Sequence, residues 1–128
     1  MKKLYQPSQK ILENYANILV NFALNNGNGI KKGEVIRVGA EESAKPLYAE
    51  LRKAVWRAGG HVLGNYIPES DEKYNFERDF FTYTSDEQVK FFPAKLSKAL
   101  IEQIDHSIMI LSDSNPQALK GIDPKRIM

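Results

Sequence analysis

No cysteine occurs anywhere in the 128 residues, which excludes a disulfide framework, a zinc knuckle and a thiol nucleophile together. That absence fits a reducing cytoplasm. Long apolar runs are also missing: none approaches the roughly 20 residues needed to cross a bilayer. The start, Met1-Lys2-Lys3-Leu4-Tyr5-Gln6-Pro7, is basic but lacks the roughly 7–15 apolar residues of a signal peptide. A soluble, cytoplasmic protein with no membrane partner is the expectation. No basic run exceeds two residues, and Lys2-Lys3, Lys31-Lys32 and Lys125-Arg126 stand far apart. With 18 basic against 16 acidic side chains the balance is too even to imply a nucleic-acid partner.

What is present reads as one globular domain, 42% hydrophobic and 27% charged, too apolar for a disordered chain. Ser8 can cap a first helix whose apolar face is Ile11, Leu12, Tyr15, Ile18, Leu19, Phe22 and Ala23, opposite Glu13, Asn14, Asn17 and Asn21. Asn25-Asn26-Gly27-Asn28-Gly29 ends it, because Asn and Gly tolerate the left-handed turn. Val35-Ile36-Arg37-Val38, bounded by Gly33 and Gly39, reads as a strand. Ser43 can cap a second helix with the stripe Ala44, Leu47, Tyr48, Leu51, Ala54, Val55 and Ala58, closed by Gly59-Gly60. A second strand follows from His61 to Ile67, halted by Pro68.

Residues 70–92 are polar and aromatic, with Ser70 and Ser85 as caps of two short helices; Ser85-Asp86-Glu87-Gln88 has the capping-box form. Pro93 can open a further helix carrying Leu96, Leu100, Ile101 and Ile104. Ser107-Ile108-Met109-Ile110-Leu111 is the most apolar run and suits a central strand. A turn at 112–116 and a short helical piece at 117–119 come next. Asp123-Pro124 then signals another helix start, followed by one turn of chain.

Strand and helix alternate throughout, which implies an α/β, three-layer sandwich with a mostly parallel, Rossmann-like sheet and right-handed crossovers. Three strands are few for such a sheet, so the expectation is an incomplete sheet at the front of a longer protein. No repeat, low-complexity segment or domain boundary breaks residues 1–128.

Chemistry is thinly represented. His61 and His106 are the two histidines, one at the start of each of two strands, opposite the usual ligand crevice, and structural roles are favoured. Gly27-Asn28-Gly29 follows a helix, not a strand, and lacks the third glycine of a dinucleotide fingerprint. Gly39-Ala40-Glu41-Glu42-Ser43 is better placed for an anion, yet its two glutamates would repel phosphate. Glu69, Asp71 and Glu72, then Asp86 and Glu87, then Asp113, could serve a divalent cation only if several converged, and each has a simpler local use. Tyr74, Phe76, Phe80, Phe81, Tyr83, Phe91 and Phe92 crowd between strands two and three; a small buried core is the default, a partner surface the alternative. Trp56, beside Arg52 and Arg57, sits just off the second helix's apolar stripe and is another contact candidate.

Several segments together resemble the N-terminal domain of the metal-dependent aminopeptidases that include aminopeptidase T and aminopeptidase S. They are Leu51-Arg52-Lys53-Ala54-Val55-Trp56-Arg57-Ala58-Gly59-Gly60 running into the second strand and Ser70-Asp71-Glu72, then Ser85-Asp86-Glu87-Gln88-Val89-Lys90-Phe91-Phe92-Pro93 with the helix at 95–104. Ile108-Met109-Ile110-Leu111-Ser112 and the stretch from Asn115 to Lys125 complete the set, and the opening helix through Gly33-Glu34-Val35 also fits. The resemblance covers nearly the whole chain through order and spacing. The insertion from Tyr74 to Tyr83 departs from it by being more aromatic.

The resemblance implies that residues 1–128 form a noncatalytic N-terminal α/β domain. The parent would remove N-terminal residues from peptides with a pair of divalent metal ions, cobalt, zinc or magnesium, activating a bridging water. The family's metal ligands and acid–base glutamate belong to a C-terminal catalytic domain, so no catalytic, cofactor-binding or metal residue is assigned within 1–128. This chain alone is then expected to be inactive, to help wall off the active-site cavity and to contribute contacts to a homodimer. Two other readings stand beside it. One is a stand-alone small-molecule or nucleotide-binding domain using the loops from Gly39 to Ser43 and Ser112 to Asn115. The other is an interaction domain docking through the aromatic insertion.

Overall fold

The computed structural model describes residues 8–111. The helix start at Asp123-Pro124, the turn at 112–116, the piece at 117–119 and Asp113 lie outside them. Helix α1 (Gln9–Asn21) begins where Ser8 Oγ accepts the Ile11 amide at 3.2 Å. It ends in a left-handed turn, with φ of 52° at Asn25, 55° at Asn26 and 78° at Gly29. Gly29 has no substitute there, since a Cβ would sit 2.4 Å from the Asn21 carbonyl oxygen.

Strand β1 (Val35–Glu41) runs through Gly39, three residues longer than the expected 35–38. Gly39 sits inside the strand under the flexible end of the Met109 side chain, which would have to shift to admit a Cβ there. A 3-10 turn (Glu42–Ala44) then leads to helix α2 (Lys45–Arg57). Ser43 makes no cap there: the helix starts from Ala44 with Pro46 in its first turn, which already lacks an N–H to satisfy. Strand β2 (His61–Ile67) pairs parallel to β1, Val35 opposite His61.

Three helices cross back: α3 (Phe76–Tyr83), α4 (Asp86–Val89) and α5 (Ala94–Gln103). Asn75, not Ser70, caps α3, accepting the Arg78 amide at 3.1 Å. Ser70 is nonetheless tied to the same turn: its hydroxyl accepts the Phe76 amide at 3.0 Å and donates to Glu77. The capping box at Ser85 and Gln88 is formed as expected. Strand β3 (His106–Ile110) returns parallel to β1, giving the order β2-β1-β3. Among the described strands β1 is therefore the central one, and β3 pairs only with β1.

The α/β architecture with a parallel sheet is as expected. One sheet face carries Ile36, Val38 and Ile108, packed under Leu51, Ala54 and Val55 of α2 and Ala16 and Val20 of α1. The other carries Arg37, Leu63, Ser107 and Met109. A right-handed crossover from β2 past β1 to β3 puts α5 on this second face. Leu100 and Ile104 there share a depression with Arg37 and Ser107. The α1 stripe is rotated from expectation: Ala16 and Val20 are buried, while Ile11, Tyr15, Ile18 and Phe22 are each at least half exposed.

Candidate functional site

In an open parallel sheet the ligand crevice forms at the carboxyl ends of the strands, where the order reverses. Here that point lies between β1 and β3, beside the turn from Glu42 to Ala44. The Ser43 backbone N–H is the group that could hold an anion, and it donates instead to Glu69 Oε1 at 2.6 Å. The protein's own carboxylate fills the position a phosphate would need. Tyr66 Oη donates to the Glu42 carbonyl at 3.1 Å, closing the same edge. Burial, and then the Glu42 and Glu69 charges, push the Tyr66 phenol above its ordinary pKa. An electronegative, internally satisfied crest weighs against the nucleotide-binding alternative.

The aromatic side of α2 continues from this edge. Tyr48 and Tyr66 rings lie 5.2 Å apart, and the Arg52 guanidinium sits 5.8 Å from the Tyr48 ring and 4.8 Å from that of Trp56. Trp56 is half exposed. Each member of this ladder holds its neighbour by ring or cation–π contact, which is enough to account for its order.

At the opposite end, His106 Nε2 lies 3.1 Å from Glu34 Oε2. Glu34 Oε1 also accepts from the Lys31 backbone N–H at 2.6 Å and from Asn25 Nδ2 at 3.2 Å. The Lys31 N–H, more than His106, holds the Glu34 carboxyl below its ordinary range. Asp105 Oδ2 accepts the Val35 amide at 2.8 Å, fastening β3 to β1. His61 is exposed, and its backbone N–H donates to the Glu34 carbonyl at 2.8 Å. These contacts fasten the sheet's lower edge.

The acidic residues do not converge. Asp71 Oδ1 accepts the amides of Lys73 and Tyr74 at 2.9 and 2.7 Å, and Asp86 and Glu87 occupy the first turn of α4. Among the described residues no three His, Cys, Asp or Glu side chains come together as a metal site. The described residues therefore do not fit a metal pair.

The residue that sequence reasoning missed is Glu50, buried between α1 and α2. Its Oε1 accepts from Gln9 Nε2 and from Lys53 Nζ, each at 2.6 Å, while Oε2 is buried without a described partner. Lys53, then Gln9, holds its pKa below the ordinary value against the opposing effect of burial. The signal was its position, three residues after Leu47 and four before Ala54, squarely on the apolar stripe.

The aromatic insertion corrects the default of a buried core. Phe81 is partly buried, but Tyr74, Phe76, Phe80, Tyr83, Phe91 and Phe92 are all exposed, Phe91 by 76%. Phe80 and Phe81 meet edge to face at 5.0 Å. Helices this short present one flank each, and among the described residues no second layer lies over them.

The fold and these sites define a parallel α/β domain in which polar groups at both ends of the described sheet hold one another and the backbone. The chain belongs to the thermophilic metalloprotease (M29) family, whose family model matches residues 8–128. Aminopeptidase 2 of Geobacillus stearothermophilus is 30% identical over 122 residues, covering 93% of this chain and 27% of the relative. The solved structure of wild-type AmpT from Thermus thermophilus superposes with a TM-score of 0.67 at 21% identity, over 93% of this chain and 28% of that one. This second likeness concerns the fold. The chain thus spans little more than a quarter of the length of either protein.

Proposed function

We propose that this chain is the noncatalytic N-terminal domain of a metal-dependent aminopeptidase. The parent would hydrolyse N-terminal residues from peptides in the cytoplasm. The match to the M29 family over residues 8–128 carries this reading, with 30% identity to an aminopeptidase of which the chain spans 27%. The divalent ions, cobalt, zinc or magnesium, would be held by the catalytic part of the parent. They would supply a polarised carbonyl and an activated water there. This domain's own part is to help enclose the active-site cavity and to contribute contacts to a homodimer. Nothing it does requires it to bind the metals.

The test compares the purified 128-residue chain with its full-length parent on leucyl-p-nitroanilide, with each of the three metals and with chelator. Hydrolysis by the parent, abolished by chelator, together with silence from the chain alone is the expected result. Turnover by the 128 residues themselves would overturn the division of labour, and an inert parent would overturn the peptidase reading.

A further inference from the structure

Helices α3 to α5 carry a run of three shallow apolar depressions. The first lies between Ile67 and Pro68 at the end of β2 and Phe76, Phe80 and Phe81 of α3. The second, about 510 Å³, runs from Phe80 to Phe91 across α4. The third runs from Phe91 and Phe92 to Leu96 of α5. Phe80 and Phe91 each line two of them, so the three form one continuous furrow.

We propose that this furrow docks the remainder of the parent's own polypeptide, which packs on Phe80, Phe91 and Leu96 and so fixes α3–α5 against the sheet. The proposal rests on the aminopeptidase-parent reading and adds to it the face and the partner. Three observations favour a tethered occupant over a second copy of the chain. The relatives extend far past the matched region, which is 27% and 28% of their lengths, so a parent of similar length would carry a large further body of polypeptide linked to this domain. Helices of 8, 4 and 10 residues are too short to persist in water on propensity, and α3–α5 pack only loosely on the sheet. A covering body that is always present, at the high effective concentration of a linked chain, meets that need; a partner that dissociates on dilution does not. The furrow's lining centres on Phe76, Phe80, Phe81, Phe91 and Phe92, with Glu77, Thr84, Glu87, Gln88 and Lys95 among them, an apolar middle with polar groups around it of the kind found at packed interfaces between domains.

Amide hydrogen exchange across residues 76–103, in the full-length parent and in the 128-residue chain at several concentrations, tests this. Slow exchange in the parent and fast exchange in the chain at every concentration is the expected result. Fast exchange in both, or equal protection in both, overturns it. Protection in the chain that rises with its own concentration assigns the face to a second copy and also overturns it. As a second readout, Phe91→Ser should lower the parent's melting midpoint by several degrees and leave that of the chain unchanged; equal shifts would contradict docking. Leucyl-p-nitroanilide hydrolysis by the unsubstituted parent is followed separately. An active parent with exposed α3–α5 sinks the docking proposal alone, while an inactive parent with protected α3–α5 sinks the peptidase reading alone.

Discussion

Residues 8–66 and residues 67–104 are both rich in apolar side chains and use them in opposite ways. In the first region α1 and α2 bury Ala16, Val20, Leu51, Ala54 and Val55 against Ile36 and Val38, most with no residual exposure. In the second, Phe76, Phe80, Phe91, Phe92, Leu96 and Ile101 all remain exposed, Ile101 by 78%. The difference is one of geometry, not of composition. Two 13-residue helices can lay a stripe along a strand and exclude water from it, whereas short helices joined by turns can each present only one flank. Exposed apolar side chains grouped in this way are the kind of surface that contacts between domains or chains cover.

Three substitutions sharpen or break this contrast. Leu51→Ala, at the centre of the packed region, should cost about 3 kcal/mol, within the roughly 2–5 kcal/mol seen for such cavities. Urea unfolding of the 128-residue chain measures it, and a loss below about 1 kcal/mol would mean that the first region is not the cooperative core. Glu50→Gln comes next. The folded-state pKa of Glu50 lies below its ordinary 4.5, so its charge stabilises the fold fully above that pH, and the benefit is lost as pH falls through the folded value. Glu34 acts in the same direction. The Gln variant should lose less than about 1 kcal/mol at neutral pH, since Lys53 is half exposed, and should show a shallower decline of melting temperature below pH 4.5. An unchanged acid limb would discard the Glu50 contacts with Gln9 and Lys53 as a stabilising element. Tyr83→Ser should change the stability of the isolated chain by no more than about 0.5 kcal/mol, because Tyr83 is 82% exposed. A larger loss by thermal melting would show that the aromatic region supports the fold after all.

Much of the fold was legible before any coordinates. The α2 stripe, the Asn25-to-Gly29 terminator, the second strand and the Ser85 capping box all follow from spacing and local chemistry, and all are present. Failures came where two local options compete. Ser43 and Ser70 look like caps, but Pro46 and Asn75 start the helices that follow them. Gly39 looks like a strand boundary, yet it sits mid-strand under the end of the Met109 side chain. Glu50 was passed over because charge suggests exposure, although its register on α2 placed it inside.

Composition, periodicity and turn chemistry were sufficient to establish an α/β domain with parallel strands, because those signals act over a few residues and each local preference agrees with its neighbours. Which strand lies at the centre, which half of α1 faces the core, that Glu69 occupies the anion position at Ser43, and that the aromatic side chains face outward were settled by packing. Such outcomes depend on partners dozens of residues away, and a side chain's burial is a property of what covers it.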